Sequence, residues 1–170
     1  KPRLLDTIPA NGPYEYLIYR AEGVAGTSWQ LIHTLPTTDL NDTVYVDTLI
    51  NTLDRGWVYR VELYNNGAGN RFLIGEPGIA SSLFLTALPG DRKMRFLLTR
   101  NVPWINTSYD FYRFNGSVWQ LVGSTNQLNF TDLNLVNGTE YCYYVVSQGG
   151  YQGDGTVCPG ECGVGGSSCC

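Results

Sequence analysis

The feature that most constrains this chain is a repeat within its own sequence. "YLIYR" at residues 16–20 matches "YDFYR" at 109–113, and "WQLI" at 29–32 matches "WQLV" at 119–122. Near the N-terminus, "KPRLLDT" aligns with "KMRFLLT" further along the chain. The offset between matched segments changes little, so the sequence predicts two copies of one structural unit.

A third matched block indicates what that unit is made of. "LDRGWVYRVEL" (53–63) aligns with "LVNGTEYCYYV" (135–145), and each block has a Leu, a Gly three residues later and a Tyr three residues after that. In both, apolar and polar residues then alternate, which is typical of a strand with one buried face. Candidate strands recur roughly every 8 to 12 residues with turn residues between them, a spacing that predicts an all-β sandwich.

Composition excludes several classes of protein. The chain is 43% hydrophobic and 15% charged, which is enough apolar material for packed cores. Its net charge is -4 with no basic cluster, so nucleic acid is not expected as a partner. No apolar run approaches the ~20 residues that a spanning helix needs, so no membrane span is expected.

Both copies resemble fibronectin type III domains, a family of immunoglobulin-like β-sandwiches. In that family a Leu-x-x-Gly-x-x-Tyr segment opens strand F, and the Tyr hydroxyl bonds back to the preceding loop as a tyrosine corner. The resemblance assigns this role to Tyr59 and Tyr141. It implies two tandem sandwiches, at residues 1–77 and 78–158, followed by a Gly/Ser/Cys-rich tail at 159–170.

The resemblance also predicts individual strands. The first copy is expected to have strand B near residues 2–8, strand E near 43–49 and no strand A, because nothing precedes Lys1. We therefore expect a longer parent chain whose preceding residues complete the first sandwich, or a partner that donates the strand. The second copy is expected to have all seven strands, with strand G within 151–157. The short joint between the copies contains a Pro and is expected to limit bending.

Within this family, residues 108–151 are similar to repeats of the gliding-motility-associated surface proteins of Bacteroidota. That resemblance implies export by the type IX system, display on the bacterial cell surface and a non-catalytic role as a spacer, stalk or adhesin. The expected partners are surface proteins or glycans and neighbouring domains of the same chain. The alternative is a carbohydrate- or protein-binding accessory module of a secreted protein.

The sequence offers little for catalysis or for a cofactor. His33 is the single histidine and follows "WQLI" at the end of an expected strand, whereas the second copy has Gly123 at that place. A nucleophile and base arrangement needs a well-placed histidine, so no enzyme activity and no cofactor are expected. Asp39, Asp42 and Asp47 supply oxygen ligands suited to calcium, but their spacing fits no EF-hand and favours turn-forming roles, so no metal site is expected.

The five cysteines are unevenly placed, with four in the last thirteen residues. Cys142 lies in expected strand F, and Cys158 would follow the neighbouring strand G. Either these two form a disulfide that would stabilise the fold by about 3 kcal/mol in the chain-entropy model, or Cys142 is a free buried thiol. The cysteines and the composition together favour an extracellular location.

Two sets of residues are candidates for glycosylation. Asn-x-Ser/Thr sequons would be modified only in a eukaryotic secretory protein. The family resemblance points instead to O-glycosylation at Asp-Thr-aliphatic triplets. The asparagines are Asn41, Asn106, Asn115, Asn129 and Asn137, and the threonines are Thr7, Thr43 and Thr48.

Four aromatic residues recur at matched positions: Tyr19 and Trp29 in the first copy, Tyr112 and Trp119 in the second. Their recurrence favours a packing role. If Trp119 and its neighbours are exposed together, a surface for stacking sugars becomes the alternative.

Overall fold

A computed structural model describes residues 12–40, 44–76 and 78–150, and the backbone of 167–169. In these residues the chain is all β with antiparallel strands, as the alternation predicts, and it has no helix long and apolar enough to cross a membrane. The strands in chain order are β1 (Tyr14–Glu22), β2 (Gln30–Thr37), β3 (Trp57–Gly67), β4 (Asn70–Gly75), β5 (Ala80–Ser81), β6 (Phe84–Gly90), β7 (Lys93–Thr99), β8 (Ile105–Phe114), β9 (Trp119–Thr125), β10 (Asn129–Leu133), β11 (Cys142–Gly150) and β12 (Ser167–Cys169).

The first sheet has the strand order β2-β1-β3-β4, and β5 pairs with β3 beside β4. Its inward face follows the period of two, because Tyr14, Tyr16 and Ile18 of β1 are buried while the residues between them are less so. Tyr14 and Tyr16 pack with Leu63 of β3 in a small core.

The second and third sheets share a larger core. The second sheet has the order β10-β7-β6 and the third the order β12-β11-β8-β9. Phe96 of β7 is fully buried, and its ring centroid lies 5.5 Å from that of Phe111 on β8 and 4.6 Å from that of Tyr143 on β11. Side chains of two facing sheets interdigitate in this way in a β-sandwich.

One strand expected from the sequence does not form. In the described part of the expected first-copy strand E, residues 44–49 run outside any sheet, and Val44 and Val46 are 80% and 70% exposed. The prediction was wrong because alternation alone does not make a strand. The ladder hydrogen bonds need a neighbour, and none is present for this segment among the described residues.

Two other expected strands, B of the first copy (2–8) and G of the second (151–157), lie outside the described residues. The edge of β11 where a strand G would pair is occupied by β12, through partners that include Tyr143 and Ser168.

The joint between the first and second sheets is hydrogen-bonded on both sides. Ser82 N–H donates to the carbonyl of Trp57 at 2.7 Å, and its hydroxyl accepts from Trp57 N–H at 3.0 Å. On the other side, Ser81 N–H donates to the Asn101 carbonyl at 2.7 Å. The side-chain amide of Asn101 donates a hydrogen bond to the carbonyl of Val24 at 3.1 Å. These bonds fasten the joint to β3 on one side and to the loop between β7 and β8 on the other.

Candidate functional site

The two tyrosines expected to form corners make different contacts. The Tyr141 hydroxyl accepts a hydrogen bond from the backbone N–H of Val136 at 3.0 Å, a bond to the preceding loop of the kind a tyrosine corner makes. The Tyr59 hydroxyl instead donates to the carboxylate of Asp47 at 3.1 Å. Tyr59 and Tyr141 therefore do not occupy equivalent surroundings.

The structural counterpart of Tyr59 is Tyr143. Tyr59 lies opposite Arg20 in the β1–β3 ladder, and Tyr143 lies opposite Arg113 in the β8–β11 ladder. The sequence alignment, which matched Tyr59 with Tyr141, is therefore displaced by two residues on this strand.

Around each of these tyrosines the same three groups meet. Arg113 donates to Asp132 at 2.6 Å and the Tyr143 hydroxyl donates to the same carboxylate oxygen at 2.9 Å. Beside the first sheet, Arg20 donates a hydrogen bond to Asp47 at 2.8 Å, and the Tyr59 hydroxyl donates to the same carboxylate oxygen. We call each set an Arg–Asp–Tyr cluster. Sequence reasoning missed these clusters, although an aromatic residue stands two positions before the aspartate in both "YVD" and "FTD".

The environment of the clusters shifts several pKa values. Burial, followed by the hydrogen bond to Asp132 and its negative charge, raises the pKa of Tyr143 far above its ordinary value. Burial and the charge of Asp47 raise the pKa of Tyr59 in the same way. For Asp47, burial is the largest influence and raises the pKa, but hydrogen bonds from Arg20 and others outweigh it, so the net shift is downward. Both tyrosines therefore remain neutral donors, a structural role.

The structure bears on one of the two cysteines in the predicted disulfide. Cys142 is disulfide-bonded, which removes the alternative of a free thiol. Cys158 lies outside the described residues, so its pairing with Cys142 stays a prediction.

The glycosylation candidates differ in their surroundings. Thr48 is exposed beside Asp47, while Thr7, Thr43 and Asn41 lie outside the described residues. Asn129 is exposed, and the other described asparagines are engaged by their side chains: Asn115 accepts from Ser117 N–H at 3.0 Å, Asn137 donates to Asp91 at 2.8 Å and Asn106 donates to Tyr109 at 3.3 Å.

Residues weighed for catalysis or calcium have structural partners. The His33 ring stacks on Tyr45 with centroids 4.6 Å apart. Asp47 belongs to a cluster, and Asp42 lies outside the described residues. In the described ranges, no three His, Cys, Asp or Glu side chains come together as metal ligands.

The outward face of the third sheet carries a group of aromatic side chains. Tyr112 of β8 and Tyr144 of β11 stack with centroids 4.7 Å apart and planes 8° apart. Trp119 of β9 lies 4.7 Å from Tyr144 and 5.2 Å from Phe114. Trp119 is 43% exposed and Phe114 is 38% exposed. We call these four residues the aromatic surface.

Polar groups adjoin the aromatic surface on the same face. Asp110 lies two residues before Tyr112 on β8, so the two side chains point the same way. Its carboxylate accepts hydrogen bonds from Ser124 at 2.6 Å and from the Gln148 amide at 2.7 Å. The face therefore combines exposed rings with a fixed hydrogen-bonding end, an arrangement suited to ligand binding.

The matching face of the first sheet is organised differently. Arg60 stands where Tyr144 stands in the third sheet, one residue after the cluster tyrosine. Its guanidinium lies 4.7 Å from the ring centre of Tyr19 and 5.0 Å from that of Trp29. It also forms an ion pair with Glu62 at 3.1 Å. The cation therefore packs against both of these rings.

No family model matches the sequence, and a search of curated proteins finds no match. A proposal about function therefore follows from the geometry of the described residues and from the sequence resemblance.

Proposed function

We propose that the chain is a non-catalytic extracellular structural and adhesive module built from two fibronectin type III-like sandwiches. The strand order supports the fold. If β6, β7 and β10 are strands A, B and E, and β8, β9, β11 and β12 are C, C′, F and G, the sheets have the orders E-B-A and G-F-C-C′, which suit that family. The first sheet has the order C′-C-F-G when β1 to β4 are assigned likewise.

Irregular features that recur in both parts support the duplication. The β1–β2 ladder shifts register between Ile18 and Tyr19, and the β8–β9 ladder shifts between Phe111 and Tyr112. Bulges of this kind are specific local features rather than consequences of strand pairing in general. Their matched positions, together with the two Arg–Asp–Tyr clusters, favour the domains proposed at 1–77 and 78–158.

The observation that carries the functional proposal is the hydrogen-bonded joint. Relative motion is the usual expectation for neighbouring domains that share a small interface. Here Ser81 and Ser82 are bonded to Trp57 on one side and to Asn101 on the other. A fixed joint transmits orientation and force along a chain, as a spacer or stalk segment must. The sequence resemblance extends this role to a larger bacterial surface protein, exported by the type IX system and linked to gliding motility.

Two experiments test the proposal. In ¹⁵N relaxation measurements, amides of the first and third sheets should report one common rotational correlation time. Ser81→Ala combined with Asn101→Ala removes the hydroxyl that accepts from Asn101 N–H and the amide that donates to the Val24 carbonyl, and it should separate the two values. Asn126→Ala, at an exposed turn residue away from the joint, should not. Independent tumbling of the unaltered chain would refute the spacer role. Protease treatment of intact producing cells should release the protein, and its full protection would refute surface display.

The exposed aromatic surface favours a second candidate function, that of a carbohydrate-binding accessory module. The two functions are compatible, since an adhesive stalk acts through the surfaces it presents.

A further inference from the structure

We propose that the outward face of the third sheet binds a neutral oligosaccharide. The inference deepens the adhesive part of the proposed function and rests on it for its biological setting. The ligand would lie along β8, over the aromatic surface, with its polar end at Asp110.

The rings supply the first argument. Phe114, Trp119 and Leu121 are each more than a third exposed on one face, and Tyr112 and Tyr144 lie next to them. The C–H faces of a pyranose ring pack on aromatic rings, and tyrosine and tryptophan also keep a polar atom available to hydroxyl groups. A row of rings on a rigid sheet is held in position before the ligand arrives, which reduces the entropy lost on binding.

Asp110 supplies the second argument, because it determines the kind of sugar. An ionised carboxylate accepts about four hydrogen bonds, and Ser124 and Gln148 use two of them while fixing its orientation. The remaining lone pairs can accept from sugar hydroxyls. The outward-facing residues of the three strands named here, β8, β9 and β11, include no cation to offset this charge, so an acidic sugar would be repelled.

The dimensions supply the third argument. From Phe114 to Asp110 is four residues along β8, or roughly 13 Å at the rise of an antiparallel strand. This length suits several linked sugar rings better than a single one. A protein partner or a second copy of the chain fits this face less well. The apolar area ends at Asp110, and a stable protein interface generally buries more apolar surface than four rings provide.

The first sheet provides a matched control within the same molecule. Trp29 occupies the place of Trp119, but Arg60 packs against it and is paired with Glu62. Trp29→Ala therefore removes an equivalent tryptophan from a face that the proposal leaves without ligand.

The full chain would be titrated with neutral linear hexasaccharides of β-1,4-glucan, β-1,3-glucan, chitin and α-mannan, and with an oligogalacturonate as the acidic probe. Tryptophan fluorescence and calorimetry would report binding. At least one neutral hexamer should bind and the acidic one should not. Trp119→Ala should weaken binding about tenfold or more, an effect of the order seen when an aromatic ring stacked on a nucleic-acid base is removed. Trp29→Ala should change the Kd by less than about twofold.

Chemical-shift mapping supplies a second readout that requires no variant, and the shifts should cluster on β8, β9 and β11. Ser81→Ala combined with Asn101→Ala should leave the affinity unchanged, so that failure of the spacer role and failure of sugar binding are seen separately. The proposal is overturned if no neutral hexamer binds, if the acidic probe binds better, if Trp29→Ala weakens binding as much as Trp119→Ala, or if this face instead mediates concentration-dependent dimerisation.

Discussion

Removal of the Asp132 carboxylate, on β10 of the second sheet, is expected to destabilise the protein more than any other single loss of charge in the second and third sheets. The side chain is 10% exposed and accepts hydrogen bonds from Arg113 at 2.6 Å and Tyr143 at 2.9 Å. Breaking a buried ion pair by removing one partner costs about 3–5 kcal/mol. Arg113 is 26% exposed and can recover some hydration, which favours the low end. The stranded Tyr143 hydroxyl adds about 1 kcal/mol. We expect Asp132→Ala to lower the free energy of unfolding by about 4 kcal/mol.

Urea denaturation at neutral pH, followed by tryptophan fluorescence, measures this quantity. A double-mutant cycle with Tyr143→Phe isolates the tyrosine–aspartate bond, and we expect a coupling energy of about 1 kcal/mol because the two groups share one bond. Asp110→Ala is the control, since that carboxylate lies on the outward face and its loss should change stability by less than about 0.5 kcal/mol. If Asp132→Ala lowers the free energy of unfolding no more than Asp110→Ala does, or if the cycle shows no coupling, the cluster does not stabilise the fold.

Three further predictions concern other parts of the chain. The pKa of Asp47 is lowered in the folded protein, so its contribution to stability is complete above the unfolded-state pKa of about 3.9 and is lost as the pH falls through the folded-state pKa. Between pH 6 and 3, the urea midpoint of the unaltered chain should therefore drop more than that of Asp47→Asn. Equal drops would contradict the shift. Gly149→Ala places a methyl group 2.2 Å from the Ile105 carbonyl oxygen and should lower the free energy of unfolding by about 1–3 kcal/mol. Gly75→Ala, with open space at that point, should lower it little. Similar melting temperatures for the two variants would refute the steric argument. Tyr141→Phe removes the acceptor for Val136 N–H and should cost about 1 kcal/mol in the same urea assay, while a neutral effect would show that the bond is not stabilising.

The alternation of apolar residues predicted the sheets well, because every second side chain of a strand points to the same face and so shows which face is buried. β7 shows this most clearly, since Met94, Phe96 and Leu98 are buried and the residues between them are exposed. The same signal failed at Val44 and Val46, because burial and pairing there depend on a neighbouring strand that local sequence does not specify.

The displaced match between Tyr59 and Tyr141 has a physical cause. A shift of two residues along a strand returns every side chain to the same face. Hydrophobic pattern therefore cannot distinguish Tyr141 from Tyr143 as the counterpart of Tyr59. The distinction comes from the arginine opposite each tyrosine and the aspartate between them, which are contacts across the fold.

The side chains that hold the fold together differ from those that are free to acquire a function. In an Arg–Asp–Tyr cluster each group leaves the others unsatisfied if it is lost, and all three groups are present in both clusters. One residue further along β3 and β11 the side chain faces outward, and no group of the cluster depends on it. There the first and third sheets differ: Arg60 packs against Tyr19 and Trp29, whereas Tyr144 extends a row of rings that leaves Trp119 exposed. The residue at this one outward position therefore changes the surface while the cluster beside it is kept, which is why recognition is expected on the third sheet and not on the first.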